Sequence, residues 1–567
     1  MIERRIGLLF ACFLLLLCVA FGRAAWVQGV QGGRLSADAQ SQHTQTVTIP
    51  GQRGRILDRK GRELAVSEDA ADVIATPYQV KDPARAARRL APLLNVSDAE
   101  ILRSLADRSS GFAYLARQVD LTTADRVRKL KLAGIGAVPS SRRIYPEGKL
   151  AAQVIGAVGV DDQGLTGLEA ADNDLLGAAN GERQVVLDGL GKEIERNTVN
   201  GAQQGEDLRL TLDAGIQART EEVLASLAQT YHPKSATAIV MDPRNAKVLA
   251  MADWPSFDPS NPSAASPEAL SNMATGFTYE PGSTFKAFTV AGALSEHLVT
   301  PSTLFYLPTA IQVADRTISD AEDRGPESRT VAQILAQSSN VGAVKIGLEL
   351  GAERFYHWVR RFGFGDPTGV SFPGEEKGIV PTPSEFSGST MGNLPIGQGL
   401  AVTPIQMAAA YSAIADGGIL HAPRLVLDNG DSPVAPPGGH RVISKQTAAQ
   451  LRQMLEGVLA PGGTASEVSV PGYTLAGKTG TAQVAANGGY SDTRFVASFV
   501  GFAPASDPKL LVAVVVDEPQ GNYYGGVVAA PAFGEIAKFA LPYLKIQPDQ
   551  KGAAASAAAA STTSQGP

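Results

Sequence analysis

The sequence predicts an α+β protein with one membrane helix at its N-terminus, a mainly-β segment after it and a large α+β or mixed α/β domain beyond. Three observations predict this. An uncharged apolar run, Ile6 to Gly22, stands between Arg4–Arg5 and Arg23. Strand-and-turn texture with alternating apolar positions dominates residues 47–66 and 140–212. From about residue 232, paired strands alternate with long alanine-rich helical runs. A chain of 567 residues is too long for one compact domain, and 44% hydrophobic content with 19% charge lets it bury real cores.

The apolar run is at the lower length limit for crossing a bilayer as a helix, about 17 residues. Arg4 and Arg5 place the N-terminus inside, and Arg23 with Trp26 suits the far interface. A cleaved signal peptide is the competing reading; the run is long for one, so a retained anchor over residues 6–27 is favoured, with 1–5 as a cytoplasmic tail. Everything beyond then lies outside the cytoplasm. The only cysteines, Cys12 and Cys18, fall inside the run, which suits that compartment. Six scattered histidines have no ligand spacing, so no metal site is expected, and a net charge of -6 gives no support for nucleic-acid binding.

After a polar linker, "VTIPGQRGRILDRKGRELAV" reads as strand–turn–strand around Asp58-Arg59-Lys60-Gly61. Residues 83–132 carry helical patterns, one opened by a capping box from Ser97 to Glu100. "LRLTLDAGIQARTEEVLASLAQTY" reads as a strand, an N-cap at Asp213 and a helix through Tyr231. There is no internal repeat, and the Ala/Ser-rich end, 547–567, is expected to be disordered.

"GYTLAGKT", residues 472–479, matches the P-loop pattern G-x-x-x-x-G-K-[ST], and "VAVVVDE" downstream resembles a magnesium-binding strand. Context excludes the match. A P-loop lysine opens a helix, whereas Lys478 is followed by glycine-broken, strand-length apolar runs. Lys478 therefore lies on the first of three consecutive strands, and Asp517 ends the third.

A strand-borne Lys478-Thr479-Gly480-Thr481 has other uses. In "EPGSTFKAFTVAGALSEHL" a helical run begins at Ser283, with Lys286 on the same face. A lysine desolvated there can lose enough basicity to take a serine's proton. In "VAQILAQSSNVGAVKIGLELG" two helices meet at Ser338-Ser339-Asn340. Each signal alone is weak: a capping serine with a surface lysine, or a plain helix connection, explains it as well. The order S-x-x-K, S-x-N, K-T-G is together specific.

With these motifs the chain resembles a class B penicillin-binding protein from the anchor to about residue 546. "RGRILDRKG", "GLEAADNDLLG", "MDPRNAKVLAMADWPSFDPSNP", "PIGQGLAVTPIQMAAAYSAIADGG" and "YYGGVVAAPAFGEI" add to the likeness in the family's order. The resemblance implies an elongated, mainly-β pedestal (28–230) and a transpeptidase domain (231–546) whose antiparallel sheet is sandwiched by helices, as in serine β-lactamases. It implies a peptidoglycan D,D-transpeptidase without cofactor or metal, acting on D-Ala-D-Ala stem peptides and inhibited by β-lactams. Ser283 is then the nucleophile, Lys286 the base, Ser338 the proton relay, Asn340 a partner of substrate and Lys286, and Lys478 an electrostatic support. Thr479 and Thr481, on either side of Gly480, would hold the substrate carboxylate, and the N–H groups of Ser283 and Thr481 would form the oxyanion hole.

Rival readings lose on particular features. A β-lactamase would need a water-activating carboxylate, and Glu375 and Glu376 are read as loop charges. A β-lactam sensor would need more than five cytosolic residues, and a dead scaffold would lack a motif residue. The division branch is favoured over the elongation branch. The implied partners are other divisome components, among them a polytopic glycan-polymerising protein.

Overall fold

The computed structural model describes residues 2–34, 44–187, 193–430, 432–486 and 489–550. Helix α1, Ile2–Gly29, buries none of its 28 residues. The chain forms two compact units interleaved in sequence. One holds residues 1–53, 68–142 and 178–205, the other 54–67, 143–177 and 206–567.

Besides α1, the first unit contains an antiparallel sheet of Thr44–Ile49, Gly181–Leu187 and Glu193–Asn200, in that order. Its separate core joins Val73, Leu90, Ile101, Leu105, Leu115 and Val127. Val73 comes from the strand Glu63–Ala75; the others come from the expected helices, Pro83–Leu94, Asp98–Ala106 and Leu121–Lys129, and from a strand between them, Ala113–Val119, that the helical pattern hides. Ser97 accepts from the Glu100 N–H at 3.2 Å, as a cap should.

In the second unit the turn at Asp58 forms as read. One carboxylate oxygen takes the Lys60 and Arg62 N–H groups at 2.7 and 2.9 Å, and Ile56–Leu57 pairs with the strand that follows. Between residues 152 and 176 the expected strand texture is replaced by three short helices, Ala152–Ile155, Gly167–Ala171 and Asn173–Leu176. Their glycines mark tight helix ends and close approaches rather than strand turns. Asp213 caps helix α2, Ala214–Tyr231, as expected.

The large sheet of this unit has five strands: β1 (Ser235–Asp242), β2 (Lys247–Trp254), β3 (Ala476–Ala486), β4 (Gly489–Ala503) and β5 (Leu510–Asp517). Their order is β2-β1-β5-β4-β3, antiparallel throughout. Both faces are covered, which is why "LLVAVVV" is continuously apolar rather than alternating. Leu511, Ala513 and Val515 enter one core with helices α3 (Lys286–Ser295) and α6 (Pro404–Ala415). Val512, Val514 and Val516 enter another with α2 and α7 (Ala530–Tyr543). Helices α4 (Val331–Ala336) and α5 (Asn340–Leu350) flank α3.

Lys478 is on strand β3, so the P-loop match has neither its turn nor its helix. The strand starts at Ala476, and before it Tyr473 forms an isolated β-bridge to Val470. Asp517 ends β5. Residues 547–550, read as the start of the tail, pack on the domain: Asp549 takes the Thr474 N–H at 2.8 Å and the Ser506 hydroxyl at 2.6 Å. The rest of that tail, 551–567, lies outside the described residues.

Candidate active site

Ser283 does not begin one continuous α-helix. Gly282–Phe285 forms a 3-10 turn, and α3 starts only at Lys286. Pro281 at the cap and Gly282 at φ +54° wind the chain tightly there. The turn is pinned from beneath: the Tyr411 hydroxyl donates to the Thr284 carbonyl at 2.6 Å, inside an aromatic cluster of Phe285, Phe288, Phe364 and Tyr411.

Lys286 is 1% exposed, and its amine donates to the Ser338 carbonyl at 2.6 Å, the Ser338 hydroxyl at 3.2 Å and Asn340 Oδ1 at 2.7 Å. Local sequence supplies these partners. Thr330 and Gln333 form a capping box that starts α4, and Ser339 caps α5 by accepting from the Gly342 N–H at 3.0 Å. Ser338 lies in the left-handed region, φ 58°, which turns its carbonyl toward Lys286. Among the described residues no hydrogen bond engages the Ser283 hydroxyl.

Strand β3 lies against the serine turn. A Cβ on Gly480 would fall 2.3 Å from Ser498 Oγ, 2.9 Å from Thr284 Cγ2 and 3.0 Å from the Pro281 carbonyl oxygen, so only glycine lets the strand this close. Lys478 is 0% exposed and donates to the Thr479 carbonyl at 3.1 Å. Thr481 Oγ1 accepts from the Gly525 N–H at 3.1 Å, and the Thr479 and Thr464 hydroxyls are 2.7 Å apart. The three motifs thus meet from segments about fifty and two hundred residues apart in sequence.

Residues 236–538 match the penicillin-binding protein transpeptidase domain, and residues 48–210 match the penicillin-binding protein dimerisation domain. The chain belongs to the class B penicillin-binding proteins. Peptidoglycan D,D-transpeptidase FtsI of Escherichia coli is 35% identical over 97% of this chain and 93% of its own length. Stage V sporulation protein D of Bacillus subtilis is 35% identical over 93% of this chain and 83% of its own. Among solved structures, penicillin-binding protein 3 of Mycobacterium tuberculosis complexed with ampicillin covers 89% of this chain and 98% of its own, with 29% identity and a TM-score of 0.70.

Electrostatics in this penicillin-binding protein separate the two lysines from ordinary ones. Burial pulls the Lys286 ammonium down to about 7, and the Asp320 carboxylate pulls the other way. Burial, then the neighbouring Lys286 charge, pushes Lys478 well below its ordinary value. Sequence reasoning missed three residues beside the motifs. Asp320 bonds the S-x-N segment, and Thr464 meets Thr479. Glu280 takes the Gly399 N–H at 2.9 Å and the Tyr490 hydroxyl at 3.1 Å, and burial raises its carboxyl above the ordinary value. Only Glu280 had a sequence cue, its place three residues before Ser283.

Proposed function

We propose that this penicillin-binding protein crosslinks peptidoglycan stem peptides through a Ser283 acyl-enzyme during septal wall synthesis. The observation that carries the reading is the Lys286 amine, buried and bonded to Ser338 and Asn340 of the S-x-N motif; that burial brings it down to about 7. At neutral pH a large share of such an amine is unprotonated and able to act as a base.

Ser283 Oγ attacks the carbonyl carbon of the penultimate D-Ala as Lys286 takes its proton. The charge gathering on that oxygen is met by the Ser283 and Thr481 N–H groups, while Thr479 and Thr481 hydroxyls hold the terminal carboxylate. The C–N bond then breaks. The leaving D-Ala nitrogen receives its proton through Ser338 from Lys286, with Lys478 beside them, and Asn340 aligns the peptide. The amine of a second stem peptide attacks the ester, gives a proton to Lys286, and Ser283 Oγ regains one. One amide is broken and one is made, so the exchange balances without a nucleotide.

Residues 28–230 serve as the pedestal and 231–546 as the transpeptidase, both outside the membrane, with the N-terminus inside. The septal assignment draws on the likeness to FtsI of Escherichia coli and to stage V sporulation protein D of Bacillus subtilis. In that role the chain works with a polytopic glycan polymerase reached through α1 and the pedestal.

The test is intact mass of the full chain in detergent after incubation with benzylpenicillin. A lasting single-drug adduct is expected on the wild type and none on Ser283→Ala. Rapid drug turnover without an adduct would instead identify a β-lactamase, and no reaction would overturn the assignment of Ser283.

A further inference from the structure

A carboxylate stands behind the Ser338–Asn340 turn. Asp320 follows the short strand Arg316–Ser319, and its side chain is 8% exposed. One of its oxygens accepts from the Val341 N–H at 3.0 Å, and the Ser339 hydroxyl lies 3.1 and 2.9 Å from the two oxygens. Arg324 Nε donates to the second oxygen, and Glu327 lies 3.8 Å from that nitrogen. The preceding residue, Ser319, offers its carbonyl to Asn340 Nδ2 at 2.9 Å. Residues 319 and 320 therefore hold 339, 340 and 341, the segment from which Ser338 and Asn340 reach Lys286.

We propose that Asp320 is a positioning residue for acylation: it fixes the Ser338–Asn340 turn against Lys286, and its ion pair with Arg324 sets the charge balance at the Lys286 amine. The inference rests on the reading of Ser283 as nucleophile and Lys286 as base.

The charged groups acting on Lys286 come from two sides. Strand β3 brings Lys478, whose own charge is suppressed by burial and by Lys286. The segment after Ser319 brings Asp320, backed by Arg324 and behind it Glu327. Burial works against the Asp320 charge, but the Val341 N–H, Arg324 and Ser339 outweigh it and hold the carboxyl below its ordinary value. Asp320 is thus a fixed anion at neutral pH. Burial lowers the basicity of Lys286, and the Asp320 carboxylate restores part of it. Arg324 limits that effect by sharing the same carboxylate.

A cap that only shapes α5 makes a different prediction. It lowers the rate at every pH and leaves the pH dependence where it was. The charge role moves the profile, and in opposite directions for the two members of the pair.

The experiment measures the second-order rate constant for acylation by benzylpenicillin from about pH 5 to about pH 9, using the full chain in detergent. In the wild type the rate rises with pH through about 7, because the base must be neutral. In Asp320→Asn, of nearly the same shape, the rise moves down by about 1 pH unit or more, and the plateau falls because the base is weaker. In Arg324→Gln the unshared carboxylate holds Lys286 charged, and the rise moves up. Complete Ser283 labelling after long incubation checks that each variant is folded. If both variants keep the wild-type inflection, the charge role is overturned and Asp320 is a cap alone. Should Asp320→Asn not fold, the Arg324→Gln profile decides by itself: an upward shift supports the pair and an unmoved one ends it. A wild type that is never acylated would instead sink the assignment of Ser283 and Lys286.

Discussion

Lys286 and Lys478 are both wholly buried, yet they are satisfied unequally. Lys286 has three good acceptors, whereas Lys478 has the Thr479 carbonyl at 3.1 Å and a long contact to the Thr479 hydroxyl at 3.4 Å. Burying a cation with so little compensation costs stability, and its lowered proton affinity is the record of that cost. The sign follows from linkage. Between the folded value and the ordinary 10.5, the unfolded chain binds a proton that the folded chain does not, so stability rises with pH across that window. Lys478→Met, similar in length and uncharged, is therefore expected to raise the midpoint of thermal unfolding at neutral pH. The gain should shrink as pH approaches 10.5, where the unfolded lysine is also neutral. Acylation should fall by roughly a hundredfold or more, the usual scale for losing an acid–base or electrostatic group. A midpoint that drops at neutral pH would show that Lys478 supports the fold rather than burdening it.

At the scale of elements, a site built by close approach depends on backbone that can come close. Gly397 has φ +80°, its carbonyl accepts from the Gly282 N–H at 3.0 Å, and a Cβ on it would fall 2.1 Å from the Gly282 carbonyl oxygen. Gly399, two residues on, has φ +78° but no heavy atom within 3.6 Å of such a Cβ; its nearest is Leu394 Cδ2 at 3.7 Å. Both alanine variants carry the left-handed strain of about 1–2 kcal/mol, but only Gly397→Ala must push the serine turn. Displacing a reacting group by about 1 Å can cost about a hundredfold in rate. Gly397→Ala should thus acylate tens of times more slowly or worse, and Gly399→Ala within a few-fold of wild type, by the same benzylpenicillin assay. Equal losses would mean that strain, not the approach, limits the turn. The contrast also shows what the sequence could reveal. β5 was legible because a doubly covered strand is apolar at every position, and Asp213 and Ser97 because caps act within four residues. The split at Lys286 was not, because the 3-10 turn is imposed by Pro281 and Gly282 meeting β3 and residue 397. Asp320 and Thr464 were hidden for a related reason. They reach Ser339 and Thr479 from 19 and 15 residues away through tertiary bonds that leave no period in the sequence.

For the molecule as a whole, α1 decides where the chemistry happens. Its 28 residues give a rod of about 42 Å at 1.5 Å per residue, enough to cross a hydrocarbon layer of about 30 Å. Leu8, Leu9, Phe10, Phe13, Leu15, Leu16, Val19 and Phe21 are each more than 60% exposed, an apolar surface suited to lipid or another membrane helix. The chain should therefore stay with the membrane through alkaline carbonate extraction, and a chain lacking residues 2–29 should not. Arg4 and Arg5 on one side argue for an inside N-terminus, and the cysteines make that testable. Cys12 and Cys18 both sit within α1, so in the bilayer the wild type offers no thiol to a membrane-impermeant maleimide. Lys538, with a side chain 62% exposed on α7, can be replaced by cysteine without disturbing the site. Lys538→Cys should label from outside in intact spheroplasts, with the wild type blank beside it. Labelling only after permeabilisation would place the transpeptidase domain on the cytoplasmic side, away from any crosslinked wall, and the proposed reaction would lose its substrate.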